Sequence, residues 1–245
     1  MINKKIILAC LTGALMVSAN FAYAEEEQPQ AKNVHVTLSL KGWNESWSTW
    51  NWVGNLGAYG PGTLINSADS SMALIGGVTV RIKDFFMSGN YAPQSSFEFT
   101  DITKTYKRSE NDLNFGFYVN PQVAFSLGRK VVELTYNPNA VWTHTFITLG
   151  VNGSSRIGDS NFFMYENGAM SLTGTTDVTF TTTGVKGTPT YRSLEAGFGF
   201  AANPKLTFTA GYKFQQVELP LTFGTLTENT RDTTTGFIFG AALTF

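Results

Sequence analysis

The sequence predicts an all-β chain closed into a single antiparallel transmembrane β-barrel, best counted at ten strands, with eight or twelve as the alternatives. Three observations lead there. First, the last eleven residues alternate. Phe237, Phe239, Ala241, Leu243 and Phe245 share one parity, and Gly236, Ile238, Gly240, Ala242 and Thr244 share the other. A period of two is the side-chain period of a strand, and one uniformly apolar face suits a strand with lipid on one side and a lumen on the other. Second, the chain opens on an export signal. Third, its composition hides an apolar face inside an average that is not apolar.

The export signal runs from Met1 to Ala24. Lys4 and Lys5 precede an apolar stretch from Ile6 to Val17, and Ala22-Tyr23-Ala24 closes it ahead of Glu25-Glu26-Glu27. This is read as a signal peptide cleaved after Ala24 and is excluded from the fold. The apolar run is shorter than the ~20 residues that a spanning helix needs. Ile7-Leu8-Ala9-Cys10 loosely resembles a lipobox, but cleavage there leaves only Ile6 to Ala9 as the apolar segment. Removal of the signal removes Cys10, the single cysteine. Disulfides, thiolate metal sites and cysteine nucleophiles are then excluded.

Lys+Arg 17 against Asp+Glu 18 gives a net charge of −1, which offers no electrostatic case for nucleic acid. Charged residues make up 14%, against ~25% in ordinary soluble domains. Aromatics also reach 14%, with 20 Phe, beside 24 Gly. Mean hydropathy is nevertheless −0.05. Few charges, many aromatics and middling hydropathy fit strands that alternate between lipid and lumen. A secreted β-sandwich would share the alternation, but its outer face would carry more charge.

The strands follow in order after a short periplasmic lead, residues 25–33. Val34, Val36, Leu38 and Leu40 alternate with His35, Thr37, Ser39 and Lys41 in the first. Met72, Leu74, Gly76, Val78, Val80 and Ile82 mark the second, and Phe85, Met87, Gly89 and Tyr91 the third, across a junction at Lys83-Asp84. Leu113, Phe115, Phe117 and Val119 mark the fourth. Asn120-Pro121-Gln122 reads as a tight turn, because proline cannot donate to a central ladder. Val123, Phe125 and Leu127 then open a fifth strand, which leaves Arg129 on the lipid face unless a bulge near Gly128 shifts the register. Val141 to Val151 is a further strand, and Phe162 to Leu172 and Val178 to Thr183 are weaker segments rich in Thr and Gly. Leu194, Ala196, Phe198 and Phe200, then Leu206, Phe208, Ala210, Tyr212 and Phe214, form a hairpin across Ala202-Asn203-Pro204-Lys205. Eight strands are clear. Adding the Val141 strand and one from residues 160–185 makes ten.

Connections alternate in length. Lys83-Asp84, Asn120 to Gln122 and Ala202 to Lys205 are short; Gly42 to Ser71, Ala92 to Ser109 and Gln216 to Thr234 read as long loops. Short periplasmic turns against long extracellular loops is the asymmetry of a membrane barrel. The signal peptide, the alternating strands, the Asn-Pro turns and the terminal Phe245 together resemble the small outer-membrane β-barrel proteins of Gram-negative bacteria, over residues 33–245. The resemblance implies residence in the cell outer membrane, among outer-membrane lipid and lipopolysaccharide. It also implies periplasmic chaperones and the barrel assembly machinery as partners in biogenesis, with Phe237, Phe239, Leu243 and Phe245 as the assembly signal.

Chemistry-bearing residues are few. Barrel enzymes use His with Ser, Asp or Asn, and this chain has only His35, at the start of the first strand, and His144, in Trp142-Thr143-His144-Thr145 with no carboxylate beside it. No catalytic, cofactor or metal-binding set is expected. On the assigned parity Arg81, Lys83, Glu110, Asp112, Glu195, Lys205 and Lys213 point into the lumen. Buried charges need partners, and Glu195 with Lys213, diagonal across the Asn203-Pro204 hairpin, is the expected pair. Such a network either plugs the lumen or lines a narrow polar path. Trp43, Trp47, Trp50 and Trp52 cluster in ten residues. They read as an aromatic girdle at the outer membrane interface, or as a surface patch for a glycan or protein. The chain is therefore read as a non-enzymatic surface or structural barrel. A small passive channel is the alternative, and an enzyme built on His144 comes third.

Overall fold

Ten strands account for every regular element in the computed structural model, which describes residues 34–53, 62–99, 105–137, 140–179, 188–223 and 226–245. The expected signal peptide, its cleavage site and residues 25–33 lie outside the described residues. The strands are β1 Val34–Val53, β2 Thr63–Ile82, β3 Phe85–Glu98, β4 Thr105–Asn120, β5 Val123–Asn137, β6 Ala140–Arg156, β7 Phe162–Thr179, β8 Thr190–Asn203, β9 Leu206–Phe223 and β10 Leu226–Thr244. Each pairs antiparallel with the next, and β1 pairs with β10 from Thr37 opposite Thr244 up to Val53 opposite Asn229. The sheet is a closed barrel. Ten is the count expected from the sequence; the weak segment Phe162 to Leu172 lies in β7, which also takes in Val178 and Thr179, while residues 180–183 lie outside the described residues.

The turns at Lys83-Asp84, Asn120 to Gln122 and Ala202 to Lys205 sit at the end that holds both barrel termini, the periplasmic end in this architecture; at the other end β5 and β6, and β9 and β10, are also separated by only two residues in sequence. Asn120 and Asn203 each start the same turn. The Asn120 side-chain oxygen accepts hydrogen bonds from the backbone N–H of Gln122 and Val123, both at 2.8 Å. Asn203 accepts from Lys205 at 2.9 Å and Leu206 at 3.0 Å. A proline after the asparagine presets φ while the side chain caps the N–H groups beyond it. Lys83 adopts φ 54° in the two-residue turn with Asp84, which takes it out of the lumen where parity had placed it. Lys205 likewise sits exposed in its turn.

The apolar face of each strand changes sides partway up the barrel. Near the periplasmic end apolar side chains point outward: Phe115 and Phe117 on β4, Leu127 on β5, Leu149 on β6, Phe208 and Tyr212 on β9, and Phe237 and Phe239 on β10. Further up the same strands they point inward: Tyr106, Val132, Leu134, Phe146, Val217 and Leu219 are all buried. Outward positions there are Lys107, Ser109, Glu133 and Thr235. The lower part is built for lipid outside, and the upper part for water outside.

This phase switch explains a correction. The stretches read as long loops, 42–71, 92–109 and 216–234, are largely strand. They lack an apolar outer face because they stand above the bilayer. A second correction concerns β5. No register shift occurs near Gly128; Arg129 points outward, level with Leu113 and Ile147 at the upper edge of the apolar belt. At that height its charged end can reach the interface. Inward glycines near the periplasmic end make room for rings. A side chain at Gly199 would overlap the Phe163 ring, and one at Gly116 the Phe86 ring.

The face assignment has a direct consequence. Val78 points into the belt and Thr79 into the lumen. Val78→Arg is expected to cost about 2–4 kcal/mol near the bilayer centre and Thr79→Arg far less. Urea unfolding from phospholipid vesicles measures both; equal costs would show the faces to be misassigned.

Candidate functional site

The inner face of β4 climbs through three environments. Asn114 and Asp112 line a polar cavity, Glu110 and Arg108 lie in a buried charge layer, and Tyr106 belongs to an apolar cluster above it. Other strands repeat this order. On β5 it is Ser126, then Lys130, then Val132 and Leu134; on β9 it is Lys213 and Gln215, then Val217. Strand alternation with the register of the ladders stacks these residues in layers across the lumen.

Glu110 is the centre of the charge layer. It forms ion pairs with Arg108 and, at 2.6 Å, with Lys130, and it accepts a hydrogen bond from Gln215 Nε2 at 3.1 Å. Lys130 also reaches Asp112 at 3.1 Å. Arg108 donates to Gln215 Oε1 at 2.7 Å and to the Thr234 hydroxyl. Arg108, Glu110 and Lys130 are each at most 5% exposed, so desolvation is large and mutual pairing must offset it. Three further contacts extend the layer. Ser95 donates to Glu45 at 2.7 Å, and Thr49 and Trp47 donate to Asp232 at 2.5 and 3.3 Å.

Below the layer lies the cavity, of about 380 Å³, reaching down to Phe86 and Tyr118. Lys41 pairs there with Glu195 at 2.9 Å. Lys213 stands directly opposite Glu195 across the hairpin, not diagonal to it. Its ammonium lies 4.3 Å from the centre of the Trp43 ring, so the direct ion pair of Glu195 is with Lys41, while Lys213 acts on the same carboxylate from beyond ion-pair distance. Arg81 stacks over Tyr118 at 4.0 Å near the periplasmic end.

Above the layer, Trp47, Phe97, Phe99, Tyr106, Val132, Leu134, Phe146, Tyr191 and Val217 form one buried cluster. Trp47 meets Phe97 and Phe99 edge-on, with centroids 5.4 and 5.1 Å apart. Trp43 and Trp47, expected at the membrane interface or on the surface, are 1% exposed and point into the lumen. Trp50 is half-buried near the top of β1, its indole N–H donating to Ser48 at 3.2 Å. Trp52 lies in β1, but its side chain is outside the described residues. The inward tryptophans share parity with Lys41 and Glu45, the one sequence signal that could have found them.

His144 is 1% exposed, hydrogen-bonded through Nδ1 to the Thr176 hydroxyl at 2.8 Å and stacked on Phe146. His35 lies opposite Arg81 near the periplasmic end. Among the described residues no group of three or more His, Cys, Asp or Glu side chains is placed to hold a metal. Phe237, Phe239, Leu243 and Phe245 all point outward and are exposed.

The closed sheet, the outward apolar belt and the filled lumen give the chain the fold of a transmembrane β-barrel of the outer-membrane type. Among solved structures, the outer membrane protease OmpT from Escherichia coli superposes with a TM-score of 0.55 at 10% identity, over 90% of this chain and 99% of that one. Neisserial surface protein A aligns at 14% identity, TM-score 0.35, over 89% and 100% of the two chains. The translocator domain of the autotransporter NalP from Neisseria meningitidis aligns at 8% identity, TM-score 0.40, over 98% and 97%. No protein-family model matches the chain, and no curated protein matches it. At these identities the likeness is one of fold.

Removing the central carboxylate tests the layer. Glu110→Leu strands two buried cations and is expected to cost about 3–5 kcal/mol. Arg192→Ala breaks a half-exposed pair with Glu218 at 3.9 Å and is expected to cost at most about 1 kcal/mol. Urea midpoints of the refolded protein give both values, and similar shifts would mean that the layer is not a stabilising network.

Proposed function

We propose that this chain is a non-conducting outer-membrane barrel that acts as a surface-contact protein, through the polar outer face it raises above the bilayer. The observation that carries this reading is the apolar cluster around Trp47, Phe97 and Phe146. It comes from β1 to β6, β8 and β9 and stands between the polar cavity and the outside. An aqueous path would have to displace these side chains and then break the Glu110 layer. The raised outer face offers charged and hydroxyl side chains, among them Lys107, Ser109, Glu133 and Asp177, a composition suited to contact with polar partners. A non-enzymatic role is supported by the setting of His144, which has a threonine hydroxyl and aromatic rings as its neighbours. We also propose outer-membrane residence with the C-terminal aromatic strand as the assembly signal.

The passive-channel reading has the 380 Å³ polar cavity in its favour. Planar-bilayer recording separates the two. The refolded protein is expected to give no stepwise conductance. Stepwise conductance from the unaltered protein would establish the channel instead. The contact role is tested on intact cells with a photo-crosslinking residue at Lys107 or Glu133, with Phe115 as the lipid-facing control. Specific capture of a cell-surface or envelope protein from the upper positions is the expected outcome; lipid alone at all three would remove the case for contact.

A further inference from the structure

The ladder between β2 and β3 is interrupted. It runs from Ile82 opposite Phe85 to Gly76 opposite Tyr91 and stops; the strands meet again at one isolated bridge, Ala68 with Phe99. Between these closures residues 69–75 and 92–98 have no ladder partner across the seam, although β2 stays paired to β1 and β3 to β4 on their other edges. Both strands carry register shifts here, after Ala92 on β3 and opposite Glu45–Trp47 on β2. Pro93 adds a residue without an N–H. The lower part of the slot lies at belt height, since Met72, Leu74 and Tyr91 beside it point outward and are exposed. Unpaired backbone facing hydrocarbon costs several kcal/mol per group, so open sheet edges are normally absent at this depth.

Directly below the slot, on the lipid side, is an apolar groove of about 630 Å³, within the ~300–1,000 Å³ of small-ligand sites. Gly76 and Gly89 form its floor, and Leu40, Leu74, Val78 and Tyr91 its walls. A Cβ at Gly76 would meet nothing within 4 Å, and one at Gly89 only a backbone oxygen at 3.8 Å. The groove is continuous with the lipid-facing belt, so what fills it is an acyl chain. On the lumen side the slot is closed by the buried side chains of Ala73, Ile75 and Ala92 packed with Trp43, and above them by Glu45, which faces Ser71 and accepts from Ser95.

We propose that the β2–β3 seam binds a single-chain phospholipid, with its acyl chain over Gly76 and Gly89 and its head in the slot. A glycerol phosphoethanolamine head carries hydroxyl and ammonium donors together with phosphate and ester acceptors. It thereby answers both the N–H and the C=O groups of the slot edges and sets a cation toward Glu45. A free fatty acid would bring a second carboxylate toward Glu45 and supply no donor once ionised. This binding site is independent of the surface-contact reading and stands or falls without it.

Native mass spectrometry of the full-length protein released from detergent, with lysophosphatidylethanolamine added, is the test. One bound lysolipid is expected on the unaltered barrel. Gly76→Leu and Gly89→Leu, which fill the groove from opposite strands, are each expected to weaken binding by about tenfold or more. Gly168→Leu places the same side chain on the outer face of β7, in ordinary contact with Val151, and is expected to bind normally. Heat-modifiable gel mobility confirms that each variant is folded, and either groove variant suffices if the other does not fold. Undiminished binding in a folded groove variant overturns the site, as does equal loss in Gly168→Leu. Oleate binding as tightly as the lysolipid overturns the head-group assignment.

Discussion

Closure of the backbone ladder is the constraint on which everything else rests. Hydrocarbon supplies no partner for a peptide N–H or C=O, so a sheet that crosses it must pair its first strand with its last. Here β1 is hydrogen-bonded to β2 on one edge and to β10 on the other along nearly its whole length. Once the ring is closed, each strand has one face inside and one outside, and the surroundings decide what each face carries. Lipid selects apolar residues outside in the lower part, and water selects polar ones outside in the upper part. The interior must then do the opposite in each. The polar cavity under an apolar cluster, with a layer of paired charges between them, follows from that one requirement.

The charge layer sits where the two packing modes meet. Above it the lumen excludes water by tight aromatic and aliphatic packing; below it the lumen holds hydroxyl and amide groups around open space. Arg108, Glu110 and Lys130 face both, and each is enclosed by opposite charge or by a side-chain amide. Such a group strengthens the pairings around it because the local dielectric is low, and for the same reason tolerates the loss of any one member poorly. The layer also ties opposite walls of the barrel together, because Glu110 on β4 meets Lys130 on the adjacent β5 and Gln215 on β9 across the lumen.

Much of the architecture was legible in the sequence, and the reasons are physical. Strand type, the count of ten, the Asn-Pro turns and the lipid face all follow from alternation and turn chemistry within a few residues. The upper halves of the strands were not legible as strands. An apolar outer face marks a strand in lipid, and above the bilayer the apolar parity moves inside: Phe125 and Leu127 are odd and outward, Val132 and Leu134 even and inward. Trp43 and Trp47 were misplaced for the same reason, since a tryptophan near a membrane boundary reads equally as girdle or as filling. Lys83 was misplaced because parity was carried one residue into a turn. Of the charge layer, the sequence named Glu110 and Asp112 through parity, whereas Arg108 and Lys130 lay in segments assigned to loop or uncertain register. The pairing of Lys41 with Glu195 joins strands far apart in sequence and leaves no local pattern.

The two asparagine-capped turns carry a consequence for how the barrel forms. Each is specified by adjacent residues, and each sets the register of its hairpin before any distant strand has to arrive. Loop-closure entropy is small for such hairpins and rises with separation, so the pairing between the ends of the chain carries the largest closure cost. That pairing joins residues such as Thr37 and Thr244, whose hydroxyls meet at 2.9 Å across a separation of 207 positions. The seam with the largest closure cost is therefore the one that completes the ring, between β1 and β10. Until that last seam zips, a nearly complete sheet has two open edges, the state most exposed to pairing with the wrong neighbour.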